Sequence, residues 1–269
     1  EGDSIAHITK RRRIKMIWPL YRLVFKKATR VQAISHYLAD FAHTMGYQGA
    51  VEVIPNGVDV ALFGKDISED EQSELKQTLG KKDGDRFIVT TSRLVEKNAY
   101  CDLIMALRDL DVTVKLLVLG TGPLEEQLRL LAKKYGLGGR VRFLGHIDIK
   151  EIPKYLAISD IFCRPSLSEG FGSSFIEAMA AGIPVVATPV GGIVDFLFDP
   201  EKNPDKEPTG LFCNVRDPKS IAQKVQQFLS DDVLRARIVA NAKKLVHEKY
   251  TWDLITKEMQ DKIFNTLVS

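Results

Sequence analysis

Residues Ser166-Leu167-Ser168-Glu169-Gly170-Phe171-Gly172-Ser173-Ser174-Phe175-Ile176-Glu177 lie between two short apolar runs, Ile161–Arg164 and Val185–Ala187. Such runs, rich in β-branched and aromatic residues, read as strands buried on both faces. Between them the chain turns tightly at two glycines and becomes helical near Gly172. The free N–H groups of that helix's first turn, with the helix dipole, form an anion site suited to phosphate. Glu169 and Glu177 flank the site eight residues apart. A carboxylate beside a phosphate repels it, so both acids are expected to serve another part of the ligand. Sugar or ribose hydroxyls are the natural partners, because a carboxylate accepts two hydrogen bonds from a diol.

The same alternation extends outward in both directions. Strands are predicted over 87–91, 114–119, 141–144, 161–164 and 185–187, with helices over 98–109, 122–135, 149–157 and 172–181. A late strand at 210–213 and closing helices over 218–230, 231–248 and 253–266 complete the pattern. Nearer the start, 31–35 and 51–54 read as strands, Ser35 caps a helix running to about residue 45, Pro55-Asn56-Gly57 is a turn, and 65–76 reads as helical. Strands alternating with helices define an α/β, doubly wound parallel sheet with helices on both faces, and such sheets bind ligands beyond the carboxyl ends of their strands. The loops to search are therefore 92–98, 120–123, 145–148, 165–172 and 188–193.

In the first of these, Arg93 and Lys97 stand four residues apart after a strand and converge on one anionic group, Arg as a fork and Lys as a point charge. Gly120-Thr121-Gly122-Pro123 resembles a dinucleotide fingerprint, but Glu125 replaces the third glycine, so a structural turn with Pro123 opening a helix is expected. Asp83-Gly84-Asp85 and Asp109-Leu110-Asp111 precede strands, on the opposite side of the sheet, and read as turns. His146 follows a strand on the correct side and is placed at the pocket rim.

Composition narrows the class further. With 269 residues, 45% hydrophobic and 27% charged, the chain is ordinary globular protein, which excludes disorder and collagen-like repeats. Three scattered cysteines without a Cys-x-x-Cys pair exclude a disulfide scaffold and a zinc ribbon and fit a reducing compartment. The five histidines show no ligand spacing, so no metal site is expected. The longest uncharged run, 178–194, is interrupted by glycines and prolines and falls short of the roughly 20 apolar residues of a membrane span. The acidic start, Glu1-Gly2-Asp3, does not read as a signal peptide, and without an initiator methionine the natural chain is expected to begin upstream. Residues 1–30 carry a net +7 against +3 for the whole chain, leaving −4 elsewhere. The stretch from Lys10 to Trp18 reads either as a solvated helix or as a membrane-surface or nucleic-acid contact, and Pro19 is expected to weaken any long helix there.

Taken with Ile54-Pro55-Asn56-Gly57-Val58-Asp59, Ser92-Arg93-Leu94-Val95-Glu96-Lys97-Asn98, Gly120-Thr121-Gly122-Pro123-Leu124-Glu125, Val141-Arg142-Phe143-Leu144-Gly145 and Pro184-Val185-Val186-Ala187-Thr188, the Glu169-to-Glu177 segment resembles family 4 of the glycosyltransferases, the group 1 transferases of GT-B fold. The resemblance covers roughly residues 25–265 in order. It implies that Arg93 and Lys97 hold the donor diphosphate, that Glu169 contacts the donor sugar, and that Glu177 binds the nucleotide ribose. Gly170, Phe171, Gly172 and Ser173 match the turn whose backbone faces sugar and phosphate, while Gly145, His146 and Ile147 lie where the family touches the base. Ser173 replaces a frequent Asn and Ala99 a common Gly. The family is retaining and usually metal-independent, so no cofactor is expected.

Family members carry a first Rossmann-like domain with the acceptor site, and only its last strand and helix are recognisable here. The domain expectation is thus 1–54 as a remnant of the acceptor domain, 55–250 as the Rossmann-like, nucleotide-sugar donor-binding half, and 251–269 as a helix crossing back toward the missing half. The implied function is transfer of a hexosyl group from a UDP- or GDP-sugar to a hydroxyl acceptor, a glycan or lipid-linked sugar. A non-catalytic nucleotide-sugar-binding subunit that needs a separate acceptor-domain chain is the alternative, and a GT-B sugar epimerase is disfavoured. The expected location is the cytoplasm, with peripheral contact at the inner membrane face through the basic stretch and no nucleic-acid partner.

Overall fold

The computed structural model describes residues 12–268. Six parallel strands form the main sheet in the order β5-β4-β3-β6-β7-β8: β3 (Arg86–Thr91), β4 (Val114–Leu119), β5 (Val141–Gly145), β6 (Ile161–Arg164), β7 (Val185–Ala187) and β8 (Leu211–Phe212). Side chains alternate across the pleat, so Phe87 and Val89 enter one core layer while Ile88 enters the other. The first layer is closed by α7 (Ile152–Ala157), α8 (Ser173–Ala180) and α10 (Asp232–Lys249) through Leu156, Phe175, Met179 and Val246. The second is closed by α5 (Tyr100–Ala106), α6 (Glu125–Lys134) and α9 (Pro218–Ser230) through Ile104, Leu128, Val225 and Phe228. Both faces are covered, as a purely parallel sheet requires.

The strand order reverses between β3 and β6. From β3 the chain winds outward through β4 to β5, then returns to place β6 on the other side of β3. The helices that follow these two strands lie on opposite faces, which opens a crevice at their carboxyl ends. The loops after β3 and β6 are the two that carry Arg93, Lys97 and Glu169.

A separate two-stranded parallel sheet pairs β1 (Val31–Ala33) with β2 (Val51–Val53), joined by α2 (His36–Thr44). Ser35 caps α2 as expected, accepting from the Leu38 N–H. The same hydroxyl donates to the Gly170 carbonyl at 2.6 Å, and the His36 N–H donates to Asp195 at 2.9 Å. At the other end of the chain, α11 (Trp252–Met259) returns to this unit. The Val58 N–H donates to the Tyr250 carbonyl at 2.7 Å, and Trp252 packs so closely on Gly57 that a β-carbon there would meet its ring at 2.7 Å. Arg30 reaches the Lys262 and Thr266 carbonyls from the start of β1.

Several expectations need correction. Pro19 does not end the first helix: α1 (Arg12–Lys27) runs through it. A proline removes one backbone hydrogen bond, a loss met here on a solvent-exposed helix whose Leu20 and Val24 are uncovered. The helix expected over 65–76 begins only at α4 (Glu69–Thr78), because Ser68 caps it, and a short α3 (Val60–Phe63) capped by Asp59 precedes it. Pro123 lies in a turn before α6 rather than opening it. The last helix is not one regular element: a π-helical turn, Gln260–Phe264, separates α11 from α12 (Asn265–Val268). No helix among the described residues is long and apolar enough to cross a membrane.

Candidate functional site

At the switch point between β3 and β6 lies a cleft of about 500 Å³. Arg93 and Lys97 line it from the loop after β3, and Glu169, Gly170, Phe171, Gly172 and Ser173 line it from the loop after β6. Tyr37 and Asn56, from the β1–β2 unit, face the same space. A slightly larger cleft, about 560 Å³, opens beside α11 between His36 and Lys257; it shares Ile34 and Phe171 with the first but is lined by none of Arg93, Lys97 and Glu169.

Local geometry explains why these loops hold their shape. Gly172 adopts φ +96°, where a β-carbon would strike the Phe175 ring at 2.6 Å, and no side chain caps the first turn of α8. The amino end of α8 thus faces the cleft as backbone, the condition for anion binding at a helix start. Gly191, at φ +56°, comes so close to the Glu169 carbonyl that a β-carbon would meet it at 1.7 Å. Gly192 is also tight, since a β-carbon there would meet the Gly170 carbonyl at 2.4 Å and the Ser35 side chain at 2.7 Å. On the facing side, the Asn98 amide donates to the Arg93 carbonyl at 2.7 Å, and the Leu167 N–H donates to the Lys97 carbonyl at 2.6 Å, which ties the two loops together. Ala99, the residue standing for a common Gly, takes φ +52°, a left-handed conformation that disfavours any side chain.

The electrostatics centre on a residue that the sequence reading passed over. Arg164, the last residue of β6, is 5% exposed. Its guanidinium donates to the Thr91 carbonyl at 3.1 Å, to the Ser174 hydroxyl at 2.7 Å and to Glu169 Oε2 at 2.8 Å, and it stacks over the Phe175 ring at 4.3 Å. Lys97 Nζ stands 3.8 Å from Glu169 Oε1, and the Gly170 N–H donates to the same oxygen at 3.2 Å. Side-chain atoms of Thr90, Asn98, Arg164 and Ser166 are buried without hydrogen-bond partners, and all four residues belong to β3, β6 or the loops that follow them. Unpaired buried polar atoms are rare in folded proteins, and here they concentrate around the switch point.

Glu177 differs. It lies one turn into α8, on the face of Ser173 and Ser174, but outside the cleft lining. Burial pushes its carboxyl up to about 6, only the charge of Arg164 opposes that, and no hydrogen bond contributes. Gly145, His146 and Ile147 also stand outside the cleft lining. His146 is exposed, Ile147 packs on the core, and the Gly145 carbonyl accepts from the Gly120 N–H at 2.7 Å. Gly120 and Gly122 are accounted for by packing, since β-carbons there would strike the Ser92 and Leu94 backbone. Asp85 and Asp111 serve turns at the amino ends of the strands, accepting from the Lys82 and Thr113 N–H groups. A sequence signal for Arg164 existed: a charged residue closing a wholly apolar strand directly before the glycine-rich loop.

Residues 71–245 match the glycosyl transferases group 1 family, and residues 3–62 match glycosyltransferase family 4. The chain belongs to the group 1 glycosyltransferases. It is 34% identical over 210 residues to a glycosyltransferase of Methanocaldococcus jannaschii, covering 77% of this chain and 52% of that protein. It is 30% identical over 247 residues to a GDP-mannose-dependent monoacylated alpha-(1-6)-phosphatidylinositol monomannoside mannosyltransferase of Corynebacterium glutamicum, covering 88% of this chain and 61% of that one. The chain therefore spans little more than half the length of such relatives. In fold it resembles Anabaena HepE, solved with UDP and glucose, at a TM-score of 0.83 and 24% identity over 93% of this chain and 67% of that one. The doubly wound α/β expectation is met, and structures of this likeness are GT-B glycosyltransferases.

Proposed function

We propose that this chain is the donor-binding half of a retaining glycosyltransferase that moves a hexosyl group from a UDP- or GDP-sugar to a hydroxyl of a glycan or glycolipid. The observation that carries the reading is the cleft at the β3/β6 switch point, where Arg93, Lys97 and the uncapped start of α8 face Glu169. In this reading the diphosphate lies between the two cations and the α8 backbone. Glu169 accepts from hydroxyls of the transferred sugar, and Glu177 accepts from the ribose, whose hydroxyls supply the donors its buried carboxylate lacks. Gly145, His146 and Ile147 border the base. The bond from the sugar's anomeric carbon to the diphosphate oxygen breaks while the acceptor oxygen bonds to the same carbon, and the acceptor proton passes to the departing phosphate oxygen. Positive charge fixed at the leaving group stabilises the transition state most, because charge develops there. Relatives named for GDP-mannose and a neighbour solved with UDP and glucose support a nucleotide-sugar donor.

Calorimetry with UDP and GDP tests the proposal, followed by a transfer assay. One of the two nucleotides is expected to bind in the micromolar to millimolar range, with little transfer by these 269 residues alone. Failure of both nucleotides to bind would sink the donor-site reading, and efficient transfer to a soluble acceptor would sink the division into halves.

A further inference from the structure

Arg164 is a poor choice for stability alone. A buried guanidinium pays heavily for lost hydration, and well-packed apolar residues often replace buried ion pairs without loss. Here one of its N–H groups, on Nε, is buried with no partner. Its remaining contacts are not scattered: they join the end of β3 (Thr91), the first turn of α8 (Ser174) and the loop between (Glu169). The guanidinium fork is planar and rigid, and Phe175 beneath it fixes that plane.

We propose that Arg164 is a positioning residue for donor-sugar recognition, holding Glu169 from below by Oε2 so that Oε1 is the edge presented to a hydroxyl of the transferred sugar. This rests on the donor-site reading above. Glu169 Oε2 is engaged by Arg164 at 2.8 Å, whereas Oε1 meets only the Gly170 N–H at 3.2 Å and Lys97 at 3.8 Å. A carboxylate held on one side offers one oriented acceptor rather than a freely turning pair. Of the sugar hydroxyls assigned to Glu169, the one that meets Oε1 is then fixed in direction, and its placement discriminates between hexoses. The diphosphate contacts assigned to Arg93 and Lys97 do not pass through Arg164, which reaches the nucleotide side only through the Ser174 hydroxyl and through its charge near Glu177, so its larger influence falls on the sugar.

The test measures binding of UDP, GDP, UDP-glucose, UDP-N-acetylglucosamine and GDP-mannose to the whole chain, and carries the best sugar nucleotide and its parent nucleotide to Arg164→Met, Arg164→Lys, Glu169→Gln and the Arg164→Met/Glu169→Gln pair. Arg164→Met is expected to weaken the sugar nucleotide about tenfold, the scale of one hydrogen bond to a charged group, with the parent nucleotide weakened clearly less. Arg164→Lys, which keeps the charge but not the fork, is expected to fall between Met and Arg. In the Glu169→Gln background, Arg164→Met is expected to add nothing, because the residue acts through Glu169. Equal weakening of parent and sugar nucleotide, or an additive loss in the double variant, overturns the proposal. Should Arg164→Met lose its folded melting transition, Arg164→Lys decides: sugar discrimination identical to the unmodified chain overturns it. Absence of nucleotide binding by the unmodified chain overturns this proposal together with the donor-site reading, whereas the other negative outcomes leave that reading standing.

Discussion

The loop after β6 and the helix that follows it each bring a glutamate to the same neighbourhood, in opposite electrostatic states. Glu169, on the loop, is paired with Arg164 at 2.8 Å and stands 3.8 Å from Lys97. Glu177, one turn into the helix, has no ion pair or hydrogen-bond donor among the described residues, and burial, opposed only by the charge of Arg164, raises its carboxyl to about 6. The difference comes from backbone position. A loop residue at the cleft floor reaches the end of a neighbouring strand, whereas a residue inside a helix reaches only what packs on its face. Glu169 is thus held by the protein itself, while Glu177 would gain hydrogen-bond donors from the ribose of the proposed donor. In the proposed donor site, these two residues of one type, eight apart, serve two different parts of the ligand.

The largest expected effects separate these roles. Glu177→Ala should weaken UDP and UDP-sugar alike, by about 1.5–3 kcal/mol, since both carry the ribose. Arg93→Ala and Lys97→Ala should weaken both by a similar amount through the diphosphate. Glu169→Ala should leave UDP nearly unchanged and weaken only the sugar nucleotide. Calorimetry on the four variants checks this contrast. Equal loss of UDP and UDP-sugar in a folded Glu169→Ala protein would make Glu169 a loop-holding residue and dissolve the distinction.

A second effect, about 2 kcal/mol for a shift from 4.5 to about 6, concerns stability without ligand. The folded state holds the Glu177 proton more tightly than the unfolded chain does. Its contribution is therefore complete below about pH 4.5 and is lost as pH rises through about 6. Glutamine does not titrate, so the stability of Glu177→Gln relative to the unmodified chain should grow between those two pH values and level off above. Urea unfolding across that range measures it. A difference that stays flat with pH would show that Glu177 is solvated after all and that the two acids are alike. The variant is expected to gain stability while losing nucleotide affinity, the usual trade at a functional site.

Much of this molecule was legible because its sheet is short apolar strands between helices. The bounds of β4, β6 and β7 match the pattern read from the residues, and Ser35 caps its helix as expected. Arg93, Lys97 and Glu169 were readable since loops after strands face one crevice. What escaped depends on contacts between distant segments. The approach of Gly191 to the Glu169 carbonyl joins residues more than twenty apart, and nothing in the local sequence announces it. The position of Arg164 at the end of an apolar strand was visible, but its contacts with Thr91 and Ser174 join segments that only the fold brings together. The π turn at Gln260–Phe264 has no simple residue signature, and α1 crosses Pro19 because its exposed outer face tolerates one missing hydrogen bond.

The smallest expected effect is none, and it bears on whether the two glutamates are distinct at all. If a divalent ion held the diphosphate, acids near the cleft would serve as its ligands, and Glu169 and Glu177 would act as one pair. The charges argue otherwise. Glu169 already has Arg164 on one oxygen, so an ion bound to its other oxygen would have to share the space with Lys97 at 3.8 Å. Like charges at that range repel, by an amount that grows as water is excluded. Arg93 and Lys97 line the cleft, and in the proposed donor site they would supply the positive charge facing the diphosphate. Among the described residues, no three His, Cys, Asp or Glu side chains gather into a metal-holding group. UDP titrations with excess EDTA and with added magnesium should therefore agree to within about twofold, well under the tenfold that 1.4 kcal/mol represents. A large loss of affinity in EDTA, restored by magnesium and abolished by either Glu169→Ala or Glu177→Ala, would join the two acids into one site and remove the contrast between them.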